Sequence, residues 1–161
     1  MPIERDTVMI VCTGNTCRSP MAEALLKAAF NKKAGGLEKF KVISCGLSTT
    51  SGSPASTNSV KAMERIGLDI KGHKSRPLSQ SDIERSAIIF CMTDSHLAGL
   101  EDRFKGLPEH VLLFRDLLPN GESREISDPF GGNYREYEEC RDSMVEAVPS
   151  ILDFLRQNFL T

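Results

Sequence analysis

With 161 residues, 40% of them hydrophobic and 26% charged, the chain has the size and balance of one globular domain, and neither two independent cores nor global disorder fits. Twenty basic against 22 acidic side chains leave a net charge of -2, which argues against a nucleic-acid binder driven by a basic surface but leaves room for a local anion site. The longest apolar runs, Val8–Cys12 and Ala87–Met92, fall well short of the ~18 residues of a membrane span, and Met1–Asp6 carries Glu4, Arg5 and Asp6 rather than the regions of a signal peptide, so cytoplasmic residence is the expectation.

The apolar, β-branched run Thr7–Val11 predicts a buried first strand. Cys12–Arg18 (CTGNTCR) is small and polar, with Gly14 and Asn15 able to take a positive φ. Ser19 followed by Pro20 predicts an N-cap and a first helical position, and Met21, Ala24, Leu25, Ala28 and Ala29 carry a helix to about Lys33, where Gly35 and Gly36 stop it. Lys41–Cys45 is a second strand, followed by the Gly/Ser/Thr loop Gly46–Ser53. A helix after Pro54 carries Val60, Met63 and Ile66 and ends at Gly67. Ser81 and Glu84 have capping-box spacing for a short helix before the third strand, Ser86–Met92. Thr93 and Asp94 cap a further helix through Leu97 and Leu100, and His110–Phe114 is the fourth strand. After the polar loop Arg115–Ser127 and the punctuation Asp128-Pro129-Phe130-Gly131-Gly132, a closing helix starts near Asn133, and Pro149 is expected to kink or break it.

Four apolar strands alternating with helices predict a three-layer α/β domain built on a parallel sheet covered on both faces, one domain over 1–161. In such sheets the site lies beyond the C-terminal ends of the strands. That is where the Cys12–Arg18 loop and Asp128 both fall.

Five cysteines are too few, and odd in number, for a disulfide framework. Cys45, Cys91 and Cys140 read as small buried hydrophobes. Cys12 differs, because it ends a strand at a tight turn that opens into a helix. Backbone N–H groups of such a turn converge on one point, the helix N-terminus adds partial positive charge, and Arg18 offers a fork for two phosphate oxygens. The product is a dianion cradle over Thr13, Gly14, Asn15, Thr16, Cys17, Arg18 and Ser19, whose field favours thiolate over thiol at Cys12. Ser19 is placed to donate a hydrogen bond to that sulfur, and Asn15 to hold the turn. A plain strand–turn–helix with a buried cysteine and a surface arginine is the competing reading. No Lys stands at Walker A spacing, and no second Cys/His pair completes a zinc site with Cys12 and Cys17; no metal and no cofactor are expected.

The segment VCTGNTCRSPMAEAL (Val11–Leu25) resembles the signature of the low-molecular-weight protein tyrosine phosphatase family, and Asp128-Pro129 resembles that family's second signature. The likeness extends to length, element order, Ser44-x-Gly46 and the His73–Arg76 stretch. It implies a four-stranded parallel sheet flanked by helices, Cys12 as nucleophile, Arg18 as phosphate binder, Asp128 as general acid, and a supporting network of Asn15, Ser19, Ser44 and His73. Cys17 is a candidate redox guard that forms a disulfide with Cys12 under oxidation.

The chain departs from the tyrosine-selective pattern of that family. Thr16 stands where a bulky apolar residue is expected, Leu47–Ser53 holds no aromatic ring, and Phe130 is the one ring that follows Asp-Pro, as a pocket wall. A phenyl ring would lose stacking surface, whereas a hydroxyl at Thr16 suits a planar guanidinium. Thr16 with Asp-Pro-Phe-Gly-Gly resembles the bacterial protein arginine phosphatase branch, so phosphoarginine on protein substrates is favoured over phosphotyrosine. An arsenate reductase needs further relay cysteines, and Met92–Gly106 supplies none beside Cys91. A sugar-transport phosphocarrier would leave Arg18 and Asp128 idle. A non-catalytic phosphoprotein binder would be expected to lack Cys12 or Asp128. Expected partners are phosphorylated proteins, with no nucleic acid and no membrane, and the chain is expected to be a monomer or weak dimer.

Overall fold

A computed structural model describes residues 4–32, 35–119 and 123–160. Strands β1 (Thr7–Cys12), β2 (Lys41–Gly46), β3 (Ser86–Cys91) and β4 (His110–Leu113) form one parallel sheet in the order β2-β1-β3-β4. The helices between and after them are α1 (Arg18–Lys32), α2 (Thr57–Glu64), α3 (Gln80–Arg85), α4 (Asp94–Arg103) and α5 (Tyr134–Phe159). Every residue of β1 and β3 is buried, which a strand covered on both faces requires.

Alternation sorts β1 between two cores. Val8, Ile10 and Cys12 pack with residues of α1, α2 and α5, while Met9 and Val11 pack with Ile83 of α3 and Leu100 of α4. The result is the predicted three-layer α/β sandwich with four parallel strands. No described helix is long and apolar enough to cross a membrane.

The chain runs from β1 outward to β2, then returns across the sheet to β3 on the other side of β1. The reversal leaves a crevice beyond the C-terminal ends of β1 and β3, the place where parallel α/β sheets bind ligands.

Several local expectations need correction. Helix α1 begins at Arg18, so Ser19 is a helical residue and not the cap; its hydroxyl turns to Cys12 instead. The predicted end of α1 at Lys33 lies outside the described residues. Helix α2 is capped by Ser56 and ends at Glu64, which leaves Ile66 exposed beyond it. The capping box of α3 is Ser79 with Asp82, not Ser81 with Glu84. A 3-10 turn at Leu37–Lys39 went unforeseen. Of the two outcomes expected at Pro149, a kink or a break, the break does not occur: the proline lies inside one continuous α5. Pro149 has no N–H to give the Val145 carbonyl, and both residues stand on the exposed side, where water can donate to that carbonyl instead.

Candidate active site

The loop from Cys12 to Cys17 is tied down by its carbonyls. Cys12 O accepts from Leu47 N at 2.9 Å, Thr13 O from Ser48 N at 3.0 Å, and Thr16 O from Ser56 N at 2.9 Å. Asn15 O takes its bond from His73 Nε2 at 2.7 Å, and because a carbonyl only accepts, that nitrogen carries the proton. In a trans peptide the next N–H points opposite to the C=O, and no bond here is cis. Carbonyls pulled outward therefore turn the following amides toward the interior of the loop. The Asn15 amide reaches Cys12 Sγ at 3.2 Å.

Asn15 makes this turn possible. It is fully buried and, among the described residues other than glycine, the one with a positive φ, 57°. Its Oδ1 accepts from Arg76 N at 2.9 Å, which fixes the amide's orientation. Its Nδ2 then donates to Ser19 Oγ at 2.8 Å and to Ser44 Oγ at 3.0 Å. Ser44 passes its own proton to Glu23 Oε1 at 2.7 Å. Ser19 Oγ, already an acceptor from Asn15, lies 2.9 Å from Cys12 Sγ and donates its proton there when the sulfur is a thiolate, which can only accept. The hydrogen-bond order is thus directional and ends on the sulfur.

Across the bowl, Arg18 is 3% exposed and anchored by Nη1 to Ile126 O at 2.9 Å. Its Nη2 stands 3.6 Å from Asp128 Oδ2. Asp128 is about half exposed and its Oδ1 accepts from Phe130 N at 3.0 Å, an Asx turn that sets the carboxyl at the rim. Cys12, Thr13, Gly14, Thr16, Cys17, Arg18, Asp128 and Phe130 line one cleft of about 210 Å³. Phe130 is 77% exposed, a ring standing at the mouth. Asp128 also lines a larger, acidic cleft with Glu125, Glu136 and Glu139, but the sulfur is not on it.

Every sequence-predicted site residue therefore falls in one place: Cys12, Arg18 and Asp128 on the cleft, and Asn15, Ser19, Ser44 and His73 in the network behind it. Sequence reasoning missed Glu23, one turn beyond Ser19 on the same face of α1, and Arg76, whose backbone orients Asn15. It also missed His96, which contacts Thr13. No local pattern marks His96: what sets it apart is its contact with Thr13, made from a helix that starts just beyond β3. Cys17 is buried, with Tyr137 Oη and Ser56 Oγ each 3.6 Å from its sulfur. Cys45, Cys91 and Cys140 are buried as expected, and burial pushes the thiols of Cys45 and Cys140 up to about 12 and that of Cys91 higher still. No cluster of metal-ligating side chains occurs among the described residues.

A sulfur at the bottom of an amide-turned loop, with a guanidinium across from it and a carboxyl at the rim, is equipped to take a phosphoryl group from a bound ester or amide. The profile of the low molecular weight phosphotyrosine protein phosphatases matches residues 7–159, and the chain belongs to that family of cysteine-dependent protein phosphatases. It is 32% identical over 149 residues to a protein-arginine-phosphatase of Geobacillus stearothermophilus, covering 92% of this chain and 95% of that one. It is 33% identical over 157 residues, 95% and 94% of the two chains, to a low molecular weight phosphotyrosine protein phosphatase of Schizosaccharomyces pombe. Among solved structures it resembles the YwlE arginine phosphatase captured with a phosphorylated active-site serine, with a TM-score of 0.86, 27% identity, and coverage of 96% and 98%.

Proposed function

We propose that the chain hydrolyses phosphoarginine on protein substrates through a phosphocysteine. The carrying observation is Thr16: this hydroxyl-bearing residue lines the cleft, and among the described residues the cleft's one aromatic ring is the exposed Phe130. A phosphotyrosine ring gains most from apolar walls on both faces, and a guanidinium from polar partners. The arginine phosphatase relatives support the same choice. Phosphotyrosine is the second reading, favoured by the Phe130 ring and by the yeast tyrosine phosphatase relative.

The roles follow from position. Cys12 Sγ attacks phosphorus in line; the Sγ–P bond forms as the P–N bond of phosphoarginine breaks. Arg18 and the loop amides hold the three equatorial oxygens as charge spreads over them. Asp128, carrying a proton, delivers it to the departing nitrogen. Ser19 donates to the sulfur, which stabilises it as nucleophile and again as the leaving group of the second step. Asp128, now ionised, takes a proton from water as that water attacks the phosphocysteine, and phosphate leaves with the thiolate restored. The ionised carboxylate also offers a partner for the guanidinium.

The test compares turnover of phosphoarginine and phosphotyrosine peptides by the wild type and by Thr16→Ile. The wild type is expected to prefer phosphoarginine at least tenfold, about 1.4 kcal/mol, and the variant to shift toward phosphotyrosine. Equal turnover of both peptides with no shift in the variant would sink the arginine preference. A Cys12→Ser variant that still turns over either peptide would sink the mechanism.

A further inference from the structure

Beside the crevice between β1 and β3 stands a buried imidazole that the mechanism above does not use. His96 sits in the first turn of α4 and is 4% exposed. Its Nδ1 accepts from Thr93 N at 3.2 Å, half of a helix capping box. A backbone N–H only donates, so Nδ1 is unprotonated and the ring proton resides on Nε2. Nε2 lies 2.9 Å from Thr13 Oγ1 and must be the donor. The Thr13 hydroxyl receives that bond on a lone pair, and its own proton is free for another acceptor. Thr13 follows the nucleophile directly and lines the same cleft as Cys12 and Arg18.

We propose that His96 is a positioning residue that directs the Thr13 hydroxyl proton into the cleft, where it donates to an oxygen of the bound phosphoryl group. The device parallels the one on the opposite side of the loop, where Asn15 occupies a lone pair of Ser19 and so aims the Ser19 proton at the sulfur. Both devices use a group of fixed polarity to give a freely rotating hydroxyl one direction. Burial of the ring and the charge of Arg18 hold His96 neutral, against the weaker pull of Asp128 and Glu125, and only the neutral ring can accept from Thr93 and donate to Thr13 at once. This inference rests on the phosphatase reading of the cleft.

The experiment uses p-nitrophenyl phosphate as substrate and inorganic phosphate as competitive inhibitor, with full-length Thr13→Val, His96→Ala, the double variant and His96→Gln. Thr13→Val and His96→Ala are each expected to weaken phosphate inhibition about tenfold, the scale of one hydrogen bond to a charged group. The double variant should be no weaker than either single one. His96→Gln should restore most of the loss, because its amide oxygen can accept from Thr93 while its amide nitrogen donates to Thr13. A His96→Ala protein that melts lower yet binds phosphate normally would reduce His96 to a helix cap and overturn the proposal, as would single effects that multiply in the double variant. Nitrogen-15 shifts of the His96 ring in the wild type give a reading independent of any variant's folding: the neutral Nε2–H tautomer is expected, and the Nδ1–H tautomer overturns the proposal. A wild type inert toward p-nitrophenyl phosphate would instead count against the phosphatase reading itself.

Discussion

At the scale of single residues, the site depends on side chains that tolerate no exchange of donor for acceptor. Asn15 shows this most directly, since it gives two protons and takes one in a place where φ is 57°. Asn15→Asp keeps shape and backbone preference but can no longer donate. Ser19 and Ser44 would then turn their protons toward the new carboxylate, and Cys12 would lose the Ser19 bond. We expect kcat on p-nitrophenyl phosphate to fall by roughly 10²-fold, the loss seen when a site gives up one aimed donor. Asn15→Ala should in addition lower stability by about 1–2 kcal/mol for the left-handed backbone alone, visible as a lower urea midpoint than that of Asn15→Gly. Cys12, Arg18, Asn15 and Ser19 were legible in sequence because they share one short loop with its strand and helix. Ser44 and His73 were legible only through resemblance, and Asp128 by its place after the last strand, with its acid role added by resemblance. Glu23 and His96 were not read at all, because what marks them is a contact with Ser44 and with Thr13 that no local pattern records.

At the scale of elements, local rules named the right element type and lost the register where two patterns competed. Both Ser79…Asp82 and Ser81…Glu84 satisfy the capping box. The structure takes the first, because Asp82 also pairs with Arg76 at 2.6 Å and lies buried under it. Ser79→Ala is therefore expected to cost about 1 kcal/mol, and Ser81→Ala nothing measurable, both by urea denaturation. Gly46, at the end of β2, is a second case. A Cβ there would stand 2.7 Å from Thr13 O, 2.8 Å from Thr49 Cγ2 and 3.2 Å from Asn15 Cβ. The first of these is backbone of the nucleophile loop, which cannot yield without moving the amides that face the bowl. Gly46→Ala should cost about 1–3 kcal/mol of stability and lower kcat/KM by a larger factor than Ser79→Ala does; equal effects would show that the loop shifts without consequence for the site. Pro149 marks the limit of single-residue rules in the other direction. The helix-breaking tendency is real, but the packed face of α5, from Tyr137 to Leu155, holds the element together across it.

For the whole molecule, the strand order β2-β1-β3-β4 unites what the chain keeps apart, and the sequence pattern yields strands without their order. The same packing buries groups whose titration then favours unfolding at both ends of the pH scale. Burial and Arg18, set against Asp128 and Glu125, lower His96 from an ordinary value of 6.5 to about 4. Between those values an unfolded chain takes up a proton on this ring and the folded one does not. Stability is thus fully present above pH 6.5 and lost as pH falls toward 4, by roughly 3 kcal/mol at most for a shift of this size. At the alkaline end, burial raises Cys45 and Cys140 from 9.0 to about 12 and Tyr137 from 10.0 to about 12, with Cys91 raised as well. An unfolded chain releases these protons first, so stability falls as pH rises beyond about 9. The urea midpoint should therefore pass through a plateau between pH 6.5 and 9 and decline on either side. His96→Gln removes the acid-side titration and leaves the thiols untouched. Between pH 6.5 and 5, where surface carboxylates remain ionised, its midpoint should be nearly flat while the wild type's falls; a variant that tracks the wild type through that interval would assign the acid limb to some group other than His96.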